Sequence, residues 1–244
     1  MANALAACGN TATSIHEVVS IREESLDIRL RLFQECPTNT RALRDYTVAL
    51  DYMGDTLAQA ENLPQALGHY SHALELTQAA CLHAPHNITL MRDNTISLNK
   101  IGDMQARMGN NDAALQHYEE ACALRRKLTA THPENNSLLK DYSYSLMRVA
   151  TLQAQQGENS IPNYRMAMEI RKHLMQLQPG NATYIYNTAN CLAQLGQACL
   201  HQHEAEQGHA FLAEAHTLMQ QLVNGAPGPT PAAWQALLQE TALP

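Results

Sequence analysis

Large aromatic side chains are scarce in this sequence, with one Trp and two Phe in 244 residues. With 45% hydrophobic residues, the core must be filled mainly by Ala and Leu, which suits closely packed helices. Long apolar runs are missing as well. No stretch of 18 apolar residues exists, so the sequence predicts no membrane-spanning helix. Positive charge is in deficit: 16 Lys and Arg stand against 23 Asp and Glu, for a net charge of −7. Phosphate backbones are held by basic stripes, so this balance argues against a nucleic-acid partner. No Cys-x-x-Cys occurs among Cys8, Cys36, Cys81, Cys122, Cys191 and Cys199. Most of them fall in helical patterns, where a free Cys behaves as a small apolar residue. No disulfide framework is expected, and the compartment reads as reducing.

The motifs of chemistry are also absent. There is no Gly-x-Ser-x-Gly, no Gly-rich phosphate loop, no kinase-like set and no His-Glu-x-x-His. The 12 His residues include the pairs His69/His72 and His83/His86. Each pair shares a helix face if helical, but no carboxylate completes a metal site. His201 and His203 are two apart and do not share a face. His69 and His117 precede Tyr70 and Tyr118 at one repeat position and read as surface residues. The expectation is no metal, no cofactor and no enzyme activity.

What the chain does have is a period. Pro37-Thr38-Asn39, Pro85-His86-Asn87, Pro133-Glu134-Asn135 and Pro179-Gly180-Asn181 recur at intervals of 48, 48 and 46 residues, and Pro227 follows 48 later. A fixed spacing in this range signals stacked structural repeats. Seventeen residues after each proline stand Gly54, Gly102, Ala150 and Gly196. Leu50, Leu98, Leu146 and Leu192 lie four residues earlier, and Met53, Ile101, Val149 and Leu195 lie one earlier. A second stripe follows as Ala66/Tyr70/Ala73, Ala114/Tyr118/Ala121, Tyr164/Ala167 (two residues early) and Leu212/Ala215. It ends in the column Leu76, Leu124, Ile170 and Leu218. Spacings of three and four predict two helices per repeat, each with one buried stripe.

The punctuation agrees. Asn two residues after each proline is an N-cap. Asp45, Asp93 and Asp141 sit early in the first helix, where the dipole favours negative charge. Gly109-Asn110-Asn111, Gly157-Glu158-Asn159 and Glu61-Asn62-Leu63-Pro64 read as breaks between the paired helices. Arg125, Arg126, Lys127, Arg171 and Lys172 fall late in the second helix, which also suits the dipole.

This Leu-x-x-apolar-Gly followed by Ala-x-x-x-Tyr-x-x-Ala resembles the tetratricopeptide repeat (TPR), from about residue 15 to 227. The family's ordinary unit is about 34 residues, so both helices here are expected to be longer, at roughly 20 residues each. The family's Trp position is Leu, and its first-helix Tyr is Leu57, Gln105, Gln153 and Cys199. The closest likeness is to long-helix variants of bacterial signalling and protease-associated proteins. The resemblance implies an all-α, right-handed solenoid of antiparallel helix hairpins. Its repeats run 37–84, 85–132, 133–178 and 179–227, between an N-terminal segment with a capping helix (1–36) and a linker with a C-terminal capping helix (228–244).

At the first end, Ser14-Ile15-His16-Glu17 is a capping box. Ser25, Ile28 and Leu32 stand where Ala73, Leu76 and Ala80 stand before Pro85, so the chain is expected to begin with an orphan second helix. At the other end, Gly225-Ala226-Pro227-Gly228-Pro229 breaks the last repeat. Thr230-Pro231 then restarts a helix, whose Trp234, Leu237 and Leu238 would pack near Leu212 and Leu218. Docking on a partner is the alternative for this helix. Leu5-Ala6-Ala7-Cys8-Gly9-Asn10 resembles a lipoprotein cleavage box. A basic start and an apolar core would have to precede it, so lipidation of Cys8 requires a start upstream of Met1. The expected location is the cytoplasm.

In the TPR family the first helices line a concave groove. That implies a partner-binding surface made of Arg44, Val48, Asp51, Asp55, Arg92, Ile96, Asn99, Asp103, Lys140, Tyr144, Met147, Asn190 and Gln197. The family's peptide clamp, in which Lys, Arg and Asn hold a C-terminal carboxylate, is not reproduced. The middle of this groove is acidic or amide-bearing, which favours a basic or mixed-polar ligand. The competing reading is that Asp55 and Asp103 pair with cations of neighbouring repeats and only hold the stack. The function expected is a non-catalytic adaptor or regulatory subunit that binds another protein or peptide. The alternative is a module that senses a peptide or small ligand. A protein partner should bury about 1,200–2,000 Å².

Overall fold

The computed structural model describes residues 15–225 and 230–242. Ser14 of the capping box, the segment around Cys8, and Pro227 lie outside these residues. Ten α-helices are described: α1 (Ile15–Glu35), α2 (Thr40–Gln59), α3 (Leu63–His83), α4 (Ile88–Arg107), α5 (Asn111–Thr131), α6 (Asn136–Gln155), α7 (Ile161–Leu177), α8 (Ala182–His201), α9 (Ala205–Asn224) and α10 (Ala232–Glu240). No strand occurs among the described residues, and no described helix is long and apolar enough to cross a membrane. The chain is an all-α array of antiparallel helix hairpins, with α2, α4, α6 and α8 as first helices. It divides into two compact units, residues 1–124 and 125–244.

Local chemistry sets the helix starts. Asn39 Oδ1 accepts from the amides of Arg41 and Ala42 at 2.9 and 3.3 Å. Asn87, Asn135 and Asn181 repeat the bond with the amides two and three residues on. Each satisfies two of the four orphan donors of a first turn. All four first helices are 20 residues long, while α7 has 17, matching the shorter third repeat. Each first helix then ends on a left-handed residue, which is Glu61 (φ 59°), Gly109 (φ 81°), Gly157 (φ 76°) or His203 (φ 64°). The final helix begins at Ala232, one residue later than Thr230-Pro231 suggests, with Pro231 extended before it.

The small column is explained by what faces it. A Cβ on Gly102 would stand 2.5 Å from Tyr118 Cε1, and one on Gly54 would strike the ring of Tyr70. Glycine lets the second-helix tyrosine lie flat against the first helix. Tyr70 and Tyr118 are thereby buried, and each hydroxyl donates to a carboxylate 15 residues back, Asp55 and Asp103, at 2.7 Å. In the third repeat Tyr164 donates to Thr151 at 3.1 Å. In the fourth, Leu212 takes the tyrosine's place beside Gly196.

A second column was misjudged from the sequence. Arg125 and Arg171, read there as charges complementing the helix dipole, are both 6% exposed and point into the seam before the next first helix. The Nη1 of Arg29, Arg125 and Arg171 donates to the carbonyl 16 residues on, that of Asp45, Asp141 and Asn187, at 3.0, 2.6 and 2.6 Å. The first repeat carries Thr77 instead, whose hydroxyl bonds to Ala73 and Leu74 of its own helix.

Two apolar clusters fill unit one. One gathers Met53, Leu57, Tyr70, Leu98 and Ile101, and the other Tyr46, Leu50 and Ala73 with Leu26, Leu30 and Phe33 of α1. Ser25 of α1 is buried, whereas Leu32 is half exposed. In unit two, Leu192, Leu212, Ala215, Met219 and Leu222 pack with Leu237, Trp234 and Leu238 of α10. His216 Nδ1 lies 3.2 Å from the Leu238 carbonyl oxygen.

Candidate functional site

Residues 44, 48, 51 and 55 lie three or four apart on α2, and 92, 96, 99 and 103 do so on α4, so each set shares one helix face. Ion pairs join α4 to α2 and to the turn that follows it at three levels. Arg44 Nε donates to Asp93 Oδ2 at 2.7 Å, Lys100 Nζ to Asp55 Oδ1 at 2.5 Å, and Arg107 to Glu61 at 3.0 Å. The Asp93 carboxylate raises the Arg44 pKa by hydrogen bond and charge. Asp55 therefore answers to two partners, Tyr70 in its own repeat and Lys100 in the next.

Asp51 differs. Burial pushes its carboxyl up to about 7, opposed by Lys100 and reinforced by Asp55 and Asp93. Its Oδ1 is enclosed without a hydrogen-bond partner. A carboxylate stripped of water resists ionisation unless a cation or donor reaches it. Val48 and Ile96 beside it are half-buried, as is Arg92. Asn99 is buried, and its amide donates to Thr95 of the same helix at 2.8 Å.

Unit two handles the same positions differently. Lys140 and Tyr144 on α6 line a small, shallow cleft open to solvent, together with Ser143, Arg171, Leu174, Tyr184 and Asn187. The Tyr144 hydroxyl accepts from Asn187 Nδ2 at 3.0 Å, and the Arg171 guanidinium lies over the Tyr144 ring, 5.3 Å from its centroid. Burial lowers the Arg171 pKa. Met147 is buried at 9% exposure, while Asn190 and Gln197 are half-buried.

The candidate residues thus divide. Asp55 and Asp103 are engaged by buried tyrosines, and Arg44 by Asp93. Val48, Asp51, Ile96, Lys140 and Tyr144 remain partly open to solvent on first-helix faces. Arg171, Tyr184 and Asn187 were missed. The recurrence of Arg eight residues before Pro37, Pro133 and Pro179 was the available signal. Among the described residues, no cluster of three or more His, Cys, Asp or Glu could hold a metal ion.

No family model and no curated protein matches the sequence. Solved structures do. BtubC (BKLC) from P. vanneervenii is 13% identical, with 90% of this chain and 96% of that chain covered at a TM-score of 0.52. A putative kinesin light chain of nearly identical TPR-like repeats from Podosopora anserina is 12% identical, over 87% and 90% of the two chains, at 0.53. The apo form of RapI is 12% identical, over 86% and 79%, at 0.50. The likeness is one of fold, and the fold is that of the TPR-like repeat proteins.

Proposed function

We propose that this protein is a non-catalytic adaptor or regulatory subunit that binds another protein or peptide along the faces of its first helices. One observation carries the reading. On α2 and α4, Asp51 holds an oxygen no protein donor fills, and half-buried Val48 and Ile96 share its face. Packing alone leaves that oxygen desolvated and unpaired, and a cation bound at the partly exposed Asp51 carboxyl would favour its charged form. The apolar neighbours supply area that gains from being covered. A basic or mixed-polar segment fits this chemistry, with a Lys or Arg reaching Asp51.

The test is site-specific photo-crosslinking in the native host. A photoreactive residue at Ile96 should capture a defined partner protein, while one at exposed Glu120 on α5 should not. Val48→Lys, introduced alongside the photoreactive residue at position 96, should abolish that adduct while leaving helicity unchanged. Capture from position 120 and none from position 96 would move the binding surface off the first helices.

A further inference from the structure

In unit one, a cation seven residues after the repeat proline meets a carboxylate eight residues after the next one, as Arg44 meets Asp93 at 2.7 Å. The same register in unit two brings Lys140 to Asn187. The column Asp45, Asp93, Asp141 ends in an amide at its fourth member. That single change removes the internal counter-ion. Arg171 beneath it gains nothing in return, since its described hydrogen bond goes to the neutral Asn187 carbonyl at 2.6 Å. No carboxylate pairs with Lys140 or Arg171 among the described residues. Arg171 is also more than nine-tenths buried and lines the solvent-open cleft beside Lys140.

A buried guanidinium without an anion is a charge short of its partner. The cleft offers an entering oxyanion two cations, and its Tyr184 and Leu174 walls suit a methylene stem. Guanidinium and carboxylate also match in geometry.

We infer that the cleft of Lys140, Arg171 and Asn187 is an anion subsite that receives the side-chain carboxylate of an acidic residue in a bound peptide. The inference rests on the reading that first-helix faces bind a partner, and deepens it. A side chain is favoured over a chain terminus because the space is small. A slim stem enters it, whereas a terminal carboxylate brings its backbone amide and last side chain with it.

The experiment uses the full chain, isotope-labelled, with three short peptides followed by amide chemical shifts. The first is N-acetylated and C-amidated with one central Glu. The second carries Gln in its place. The third carries Gln and a free C-terminus. The Glu peptide should shift the amides of Ser143, Tyr144 and Asn187, and bind at least about tenfold tighter than the Gln peptide, a difference of about 1.4 kcal/mol. The gap should shrink as ionic strength rises toward about 0.15 M.

Arg171 also ties a seam, so its variants risk unfolding. The decisive substitution is Asn187→Asp, which restores the carboxylate of the other repeats. It should erase the preference for Glu without lowering Tm, and Lys140→Gln should weaken binding several-fold. Equal binding of Glu and Gln peptides, or undiminished Glu binding by Asn187→Asp, would overturn the subsite. Capture of the free-ended Gln peptide alone would reassign it to a chain terminus. Shifts confined to the face of Val48, Asp51 and Ile96 would overturn the subsite and leave the broader partner reading standing.

Discussion

Replacing Gly102 with Ala sets two effects against each other, and their balance depends on one tyrosine. The added methyl would stand 2.5 Å from Tyr118 Cε1 and 2.7 Å from Cδ1. The ring has little room to yield, because it is 5% exposed and its hydroxyl is tied to Asp103 at 2.7 Å. Overpacking of this kind costs about 1–3 kcal/mol. Ala in a helix interior recovers about 1 kcal/mol over Gly, leaving a net loss between about 0 and 2 kcal/mol. Tyr118→Ala alone should cost about 3–5 kcal/mol. In that background the methyl has space, so Gly102→Ala should become stabilising by about 1 kcal/mol. The propensity term cancels around the cycle, and the remaining coupling of about 1–3 kcal/mol measures the steric conflict. Gly68→Ala is the control, since nothing lies within 4 Å of its would-be Cβ. The assay is urea unfolding by far-ultraviolet circular dichroism, with stability taken from the midpoint at constant slope. Effects that add to within about 0.5 kcal/mol would mean that the glycine column is not where the helices cross on the tyrosine.

Asp51 binds its proton more tightly in the folded chain, at about 7 against the ordinary 3.8. Its stabilising contribution is therefore full below about pH 4 and is lost as pH rises toward about 7. Asp51→Asn should flatten that decline and exceed the parent's stability at about pH 8 by about 1–4 kcal/mol. A parallel pH profile for both proteins would contradict the burial of this carboxyl. His203 holds a left-handed conformation at φ 64°, so His203→Gly should raise stability by about 0.5–1 kcal/mol in thermal melts. Glu61→Gly should gain less, because Glu61 also pairs with Arg107. Trp234 packs with Leu237 against the α8–α9 cluster. Its emission should be blue-shifted in the isolated chain, and removing residues 230–244 should lower stability by about 2–3 kcal/mol. Red-shifted emission with an unchanged melt would contradict that packing.

The helices and their starts were legible because each rests on chemistry within a few residues of sequence. An Asn capping the amides two and three positions on, and a 48-residue period, need no knowledge of the third dimension. The left-handed column was only half legible, since Gly109 and Gly157 declare it while Glu61 and His203 occupy it without a glycine's signal. The candidate face was harder. Counting placed Asp51, Asp55 and Asp103 at matching offsets. Only the packed structure separates a carboxylate held by Tyr70 and Lys100 from one with an idle oxygen. Arg171 was obscured by its position near a helix end, where a cation has a ready local explanation. The missing counter-ion at Asn187 is a relation between residues 47 apart. It becomes visible only when two repeats are laid in register.

The seams between consecutive repeats are sewn with different thread, and the choice makes one of them sensitive to its solvent. Where Arg171 ties a backbone carbonyl inside the packing, dissolved ions have little access to the bond. Thr77 ties nothing across its seam. Beside the apolar cluster shared by the first two repeats, the polar ties across their joint are Arg44–Asp93, Lys100–Asp55 and Arg107–Glu61, all partly exposed. Mobile ions screen charges of that kind, and exposed pairs contribute little even when unscreened. In a linear array each joint is held by its immediate neighbours alone. The ionic composition of the surroundings therefore acts on this protein at a definite address, weakening the charged ties between α2 and α4 while the Arg171 bond between α7 and α8 lies out of its reach.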